Sequence, residues 1–475
     1  SGGRPPMVGP TLRRTRTGLL LLGAAAGVHG SVYEYTALPI EPNLIQYRRV
    51  GMWTAADAPA RAAEPKSEIQ LELSLARSEP AASGLFQVLV FHSSELAIIG
   101  VDEREGSRTL CCSAELVHAG VCSREGAVIV RGDGEGDQEQ PGVWLRDVEF
   151  EPGRSSASLN AQVQVARSGV HYLLLASCMT QTGTVLLSGR TSWINPHGYL
   201  PAELYAFLPF FKLMTFAYIF LGMFWALVCM RYRAVLLPLQ TYIGFVILLG
   251  AVETATWYMD YHSFNRGGTR GVAPVVFGVL ASTLKKTVSR VLVLGVGLGY
   301  GVVRPTLGST AYKLLCLGLV YFIFSAILDI ASNVSQLSEA STLFRLLCIL
   351  PVAGLDVLLY CWVFTGLTAT LSQLTSRRQS AKLLLYRRFS MILLVSLVVS
   401  VLWICWQMAT ILSDTLDQRW ATLWIFDAFW HLLYFGILMA FCFLWSPSKN
   451  NLQYAYMDEV GQEDELQMAE PDDSQ

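Results

Sequence analysis

Three cations stand inside an apolar run. Residues 279–295 read VLASTLKKTVSRVLVLG, and Lys285, Lys286 and Arg290 interrupt a stretch that is otherwise greasy enough for a bilayer core. Acids occur in other apolar runs: Glu253, Asp329, Asp356 and Asp427, the last of these four residues before His431 and so on one helical face with it. Ionisable groups in such segments are costly. They pair with one another or face water, and they mark pathways by default. The chemistry on offer is therefore ion pairing, a polar cavity or an ion path, with His431 able to titrate in a mildly acidic organelle. Ser282, Thr283, Lys286, Arg290, Val293 and Gly297 recur at three- and four-residue steps, which predicts that Lys286 and Arg290 share an inward face. Two readings compete: a structural network that pins helices together, and the lining of a water-filled cavity in the luminal half.

Catalytic chemistry has no comparable signature. The chain holds no nucleophile elbow, zinc-protease motif or P-loop. No Cys/His spacing suits a metal. Neither an enzyme nor a cofactor is expected. GLGYG (297–301) invites comparison with a potassium filter, but it ends a spanning helix beside Arg304 and Pro305, where glycines serve close helix packing. No basic tract supports nucleic-acid binding.

The elements that must hold these charges are spanning helices. Of 475 residues, 52% are hydrophobic and 15% charged, a membrane balance. Seven apolar segments, roughly 208–230, 235–258, 275–303, 312–333, 343–371, 389–412 and 423–445, each reach spanning length. Placing the N-terminal part in the lumen puts Arg231, Arg233, Arg304, Lys313, Arg377, Arg378, Lys382, Arg387, Arg388 and Lys449 in the cytosol. Only Arg266, Arg270 and Arg419 then fall in luminal loops, the positive-inside pattern. Counting about twenty residues back from Arg304 sets Lys285 and Lys286 near the luminal boundary and Arg290 a turn deeper. Counting forward from Val272 instead puts the lysines near the midplane; the first register is preferred because the second strands Arg304 far beyond the membrane. In the preferred register Glu253, Asp329 and Asp427 share the depth of the cations, and Asp356 lies nearer the middle.

Arg13, Arg14 and Arg16 precede GLLLLGAAAGV and small residues, which predicts a signal peptide over 1–30. Residues 31–194 carry short apolar runs (IQLELSLA, LFQVLVF, GAVIVRG, VWLRDVEF, LNAQVQV, HYLLLAS) with turn signals between them, the pattern of an antiparallel β-sandwich. The acidic loop at 133–140 reads as solvated. Cys111, Cys112, Cys122 and Cys178 fall in this part, where an oxidising lumen favours two disulfides. Three connectivities are open, although adjacent Cys111 and Cys112 are poor mutual partners. A linker at 195–207, rich in Pro and Gly, leads to the seven-helix bundle at 208–446. Asn333 opens a formal glycosylation sequon close to the membrane. Residues 447–475 form an acidic, disordered tail, in which Tyr454 and Met457 make a candidate sorting motif for an adaptor.

The run LKKTVSRVLVLGVGLGYGVVRPTLG (284–308), with GFVILLGAVETATWYMDY, LLLYRRF, WIFDAFWHLLYF and WSPSKNN, resembles the Golgi-dynamics-domain seven-transmembrane family, also called lung seven-transmembrane receptor-like proteins, in its transmembrane protein 87 branch. The resemblance covers most of 200–460. It implies a luminal Golgi-dynamics β-sandwich on a seven-helix bundle in Golgi membranes, with the N-terminus luminal, the C-terminus cytosolic, and cycling through endosomes or the plasma membrane. It also implies a fold similar to the Wnt-carrying chaperone Wntless, with a cavity open to lumen and lipid and fit for a bound phospholipid. The function implied is retrograde endosome-to-Golgi traffic, as a chaperone or receptor for luminal or lipidated cargo. The partners would be membrane lipid, cargo and cytosolic trafficking adaptors, and a monomer is expected. The alternative is a cation channel or Golgi pH regulator. A G-protein-coupled receptor rests on helix count alone, since GYGVVRP stands where such receptors carry an Asp-Arg-Tyr type triplet.

Overall fold

In the computed structural model the described residues are 31–447, apart from 43–44, 60–65, 78–83, 103–107, 132–141, 151–154, 179–182, 301–302, 304–307, 335–341 and 413–418. The signal peptide expected over 1–30, the acidic loop at 133–140 and the tail with Tyr454 and Met457 lie outside them.

The N-terminal part is built of β1 (Val32–Ile40), β2 (Ile45–Met52), β3 (Glu68–Arg77), β4 (Gly84–His92), β5 (Val101–Asp102), β6 (Arg108–Thr109), β7 (Val143–Phe150), β8 (Ser156–Gln164), β9 (Gly169–Ala176) and β10 (Val185–Ile194), with the short helix α1 (Ala114–His118). Two four-stranded antiparallel sheets, β1-β10-β3-β8 and β2-β9-β4-β7, face each other. Alternate residues of β3 (Ile69, Leu71, Leu73, Leu75) meet Phe86, Val88 and Val90 of β4 around a fully buried Trp193. The period of two puts one face of each strand into this core.

β4 is apolar on both faces because both are covered. Leu89 and Phe91 point away from the first core into a second one, made with Leu110, Cys111, Val128, Leu174 and Cys178. The segment between β4 and β7 forms that cover. It is tied down by the disulfides Cys111–Cys178 and Cys112–Cys122. GAVIVRG, read as a strand, does not form one. It contributes only isolated bridges, Ile99 to Val130 and Cys111 to Val128, because it belongs to this stapled cover rather than to a sheet.

The rest of the chain is helical. The single-turn helix α2 (Ala202–Tyr205) precedes α3 (Phe207–Arg231), α4 (Pro238–Gly267), α5 (Val272–Gly297), α6 (Ser309–Val334), α7 (Thr342–Ser376), α8 (Ser380–Leu412) and α9 (Trp424–Leu444). Six of the seven long helices have the length and hydropathy to cross a membrane; the seventh, α5, carries the three cations. α4 starts with Pro238 at its first position and with the Leu237 N–H donating to Gln240 Oε1 at 3.0 Å, a favoured N-terminal arrangement. It ends at Gly268, whose φ of +71° and crowding by Val32 and Tyr199 suit glycine alone.

That same glycine joins the two halves. The N–H groups of Ser31 and Val32 donate to Gly268 O at 2.9 and 3.0 Å. The linker is folded rather than loose. Asn195 accepts from Trp53 N–H (2.9 Å), Asn265 accepts from Leu200 N–H (3.0 Å) and donates to His197 O (2.8 Å), and Glu203 accepts from Gly51 N–H (2.8 Å). The Trp53 ring packs against that of Trp420, just before α9, with centroids 4.8 Å apart and the planes tilted by 55°.

Two predictions follow from the sandwich. The Cys111–Cys178 bridge closes 67 residues and Cys112–Cys122 closes 10. Chain entropy assigns them about 4 and about 3 kcal/mol respectively. Denaturant unfolding of paired Cys→Ser variants is expected to show the first as the larger loss. His171 is the second case. Burial, reinforced by neighbouring His92, pushes its imidazole down to about 4. The unfolded ring, at about 6.5, takes up its proton first as pH falls. Stability is therefore complete above about 6.5 and is lost as pH drops towards 4. About 2 kcal/mol is expected to be gone at pH 5. Hydrogen-exchange protection of β4 and β9 should record this, and His171→Gln should flatten the profile.

Candidate functional site

α5 is the central helix of the charged region. It packs against α4 on one side and against α6 and α7 on the other. Lys285 and Lys286 are adjacent, so their side chains leave the helix about 100° apart and reach different neighbours. Lys285 forms an ion pair with Glu253 of α4, with both side chains fully enclosed. Its Nζ also lies 4.1 Å from the centroid of the Tyr434 ring of α9, a cation–π contact strengthened by the lack of water. Tyr434 OH hydrogen-bonds Ser289 Oγ, which in turn donates to Lys285 O at 2.7 Å.

The other two cations face α6 and α7. Lys286 Nζ is 3.4 Å from Asp329 Oδ2, which also accepts from Thr283 Oγ1 at 3.0 Å. Arg290 Nη2 is 3.0 Å from Asp356 Oδ1. The Arg290 guanidinium lies 4.5 Å over the Tyr321 ring and donates to its hydroxyl. These two pairs keep open surface. The side chains of Lys286 and Asp329 are 44% and 27% exposed, and those of Arg290 and Asp356 are 28% each.

Several expectations are corrected here. The polar stripe placed Lys286 inward, yet Lys285 is the enclosed cation and Lys286 is half exposed. The stripe allowed α5 one buried face, whereas a central helix has two. α5 runs from Val272 and stops at Gly297, where Gly299 and Tyr300 N–H close on Val296 O and Gly295 O, so the helix bounds favour the count forward from Val272 over the count back from Arg304. Lys285 and Lys286 sit at the middle of α5, level with Glu253 at the middle of α4. Asp427 does not join them. It lies in the first turn of α9 and makes no ion pair among the described residues. His431 lies in the electrostatic field of Glu253 and Lys285 and packs edge-on against Phe211 at 5.2 Å. Asn333 donates to Asp329 O at 2.8 Å in the last turns of α6.

The sequence reading passed over Tyr321, Ser289 and Tyr434. Tyr434 stands three residues beyond His431, and Tyr321 eight residues before Asp329, so helical spacing to a flagged residue was the available signal. It also passed over a buried pair at the sandwich end, where Arg270 donates to Asp260 Oδ2 at 2.7 Å between Trp257 and Tyr261. Arg270 was counted only as a loop charge. Among the described residues no group of three His, Cys, Asp or Glu could hold a metal ion.

The helical region has a counterpart among known families. A model described as the GOST seven-transmembrane domain matches residues 206–452, more than half of the chain. The chain belongs to the GOST seven-transmembrane family. It is a multi-pass membrane protein whose relatives are named as transmembrane proteins. It is 31% identical over 322 residues to transmembrane protein 87B of Mus musculus, covering 68% of this chain and 57% of that protein. It is 34% identical over 277 residues to transmembrane protein 87A of Homo sapiens (58% and 49%) and 32% over 280 residues to that of Xenopus tropicalis (59% and 51%). The chain thus spans about half the length of these relatives. A solved structure of tripeptidyl peptidase 2 aligns with 35% of this chain and 10% of that one, at 12% identity and a TM-score of 0.17, a likeness that carries no argument.

Within this GOST bundle the three pairs differ in what they do for stability. Lys285→Met leaves Glu253 buried and uncompensated, and is expected to cost about 3–5 kcal/mol; joint replacement with Glu253→Gln should recover most of it. Lys286→Gln, at a half-exposed pair, is expected to cost less than about 1 kcal/mol. Thermal unfolding of the purified full chain checks the order. Equal losses at both lysines would contradict it.

Proposed function

We propose that this GOST protein serves membrane traffic at the Golgi, including retrograde endosome-to-Golgi transport. Its role there is that of a non-enzymatic receptor or chaperone for luminal or lipidated cargo. The carrying observation is the open surface on Lys286–Asp329 and Arg290–Asp356. Ion pairs at that depth that keep open surface need water or a polar headgroup beside them. α5, α6 and α7 therefore border an opening suited to a phospholipid head or an acylated chain. The sandwich docked over the bundle would meet luminal partners, and the acidic tail would meet cytosolic trafficking adaptors.

Orientation is part of the proposal. Arg231, Arg233, Lys313, Arg377, Arg378, Lys382, Arg387 and Arg388 belong to the helix ends away from the sandwich, whereas Lys212, Arg266, Arg270, Arg345 and Arg419 lie on its side. This supports a luminal sandwich and a cytosolic C-terminus.

Cation conduction through the same opening is the second reading, favoured by the two acids Asp329 and Asp356 along it. Each acid has its own cation, however, which removes the net negative charge a ring of acids supplies to a cation pore. Cargo binding is therefore placed first.

The test is to isolate the full chain in native nanodiscs and identify co-purifying lipids and acylated proteins by mass spectrometry. The expected result is a near-stoichiometric amphiphile that falls about tenfold in Lys286→Gln/Arg290→Gln, the worth of one charge-assisted contact. A bundle without an amphiphile that passes cation current in liposomes would overturn this reading in favour of conduction.

A further inference from the structure

At the end of the bundle farthest from the sandwich, an open groove of ≈ 710 Å³ runs between the start of α8 and the end of α9. Its walls include Arg387, Arg388, Met391 and Ile392 of α8, and Phe443 and Leu444 of α9; among the described residues no acid lines it. Both arginines are exposed. Among the described residues neither makes an ion pair. The groove is separate from the α5 pairs.

Its level in the membrane follows from length. α8 has 33 residues, roughly 50 Å of helix, against a hydrocarbon core of about 30 Å. A centred helix overhangs by roughly 10 Å at each end, which brings Arg387 and Arg388 to the boundary between headgroups and hydrocarbon. The chain then runs inward to Met391, which is 56% exposed, and Phe443 beside it is 74% exposed. The groove therefore has two exposed guanidinium groups at phosphate level, without an ion pair among the described residues, and an apolar trough leading towards the bilayer core. Arginine pairs phosphate oxygens in a fork geometry that lysine lacks. Charge and depth together match an amphiphile with an anionic head.

We propose that this groove is a binding site for an anionic glycerophospholipid, with its phosphate held between Arg387 and Arg388 and one acyl chain laid along Met391, Ile392 and Phe443. Basic residues at a membrane surface each favour anionic over neutral lipid by roughly fivefold, so the pair should give a preference of tenfold or more.

The experiment is native mass spectrometry of the detergent-purified full chain titrated with phosphatidylserine or with phosphatidylcholine. Wild type is expected to take phosphatidylserine at about tenfold lower concentration. Arg387→Gln/Arg388→Gln should lose that preference at an unchanged melting temperature. Lys313→Gln removes an exposed cation at the same end of the bundle and should keep it. Phe443→Ser should weaken both lipids while keeping the preference. Glycerophosphoserine, a head without chains, should compete poorly. A preference that survives the double arginine variant, or that falls as far in Lys313→Gln, would overturn the site. Displacement by glycerophosphoserine as effective as by the lipid, or no effect of Phe443→Ser, would overturn its assignment to a lipid.

Discussion

The enclosed ion pair between Lys285 and Glu253 is the constraint around which the helical half is arranged. Two charges out of water cost several kcal/mol each, and mutual attraction repays this only at close range with further polar contacts. The structure supplies the close range and gives the ammonium a second contact, while the Glu253 carboxylate has the Lys285 charge as its ion-pair partner and, among the described residues, Oε1 without a hydrogen-bond partner. α4 supplies the carboxylate, α5 the ammonium, and α9 the Tyr434 ring on which the ammonium rests. A shift of α4 along α5 by one turn would separate the charges. The pair thus sets the relative height of these helices more strictly than apolar contacts, which tolerate sliding.

Once α5 is fixed in this way, its opposite face is fixed too. Lys286 and Arg290 are then presented to α6 and α7, and Asp329 and Asp356 meet them there. The contrast between an enclosed pair on one side and two part-exposed pairs on the other gives α5 two unlike faces. One face serves cohesion. The other keeps accessible surface on both of its ion pairs.

Much of this was legible in the chain. The sandwich announced itself through β3, β4, β7, β8 and β9, whose runs alternate or stay apolar between turn signals. β1, β2 and β10 were passed over for physical reasons. β1 carries a bulge between Tyr35 and Leu38 and then Pro39, β2 holds Arg48 and Arg49, and β10 is interrupted by Ser188-Gly189-Arg190, with Gly189 at a φ of +118° opposite the bulge. Such features read as loops without their partners. The intramembrane charges were visible as residue types, and Glu253, Asp329, Asp356 and the three cations do come together. Their pairing was not visible, because it depends on where α5 ends and on how many neighbours it has. Asp427 was grouped with them on chain direction alone; it stands in the first turn of α9, whereas Glu253, Lys285 and Lys286 lie at the middle of their helices.

The dock between sandwich and bundle has its own consequence. Asn265 and Gly268 at the end of α4 hold the linker and β1, while Glu253 sits roughly 18 Å lower on the same helix. α4 is unbroken between those points. A tilt of the sandwich must therefore move α4 with it or break the Asn265 and Gly268 hydrogen bonds. Because α4 also packs along α3 and α5, the helix that carries the buried carboxylate is the same rigid strut that carries the sandwich.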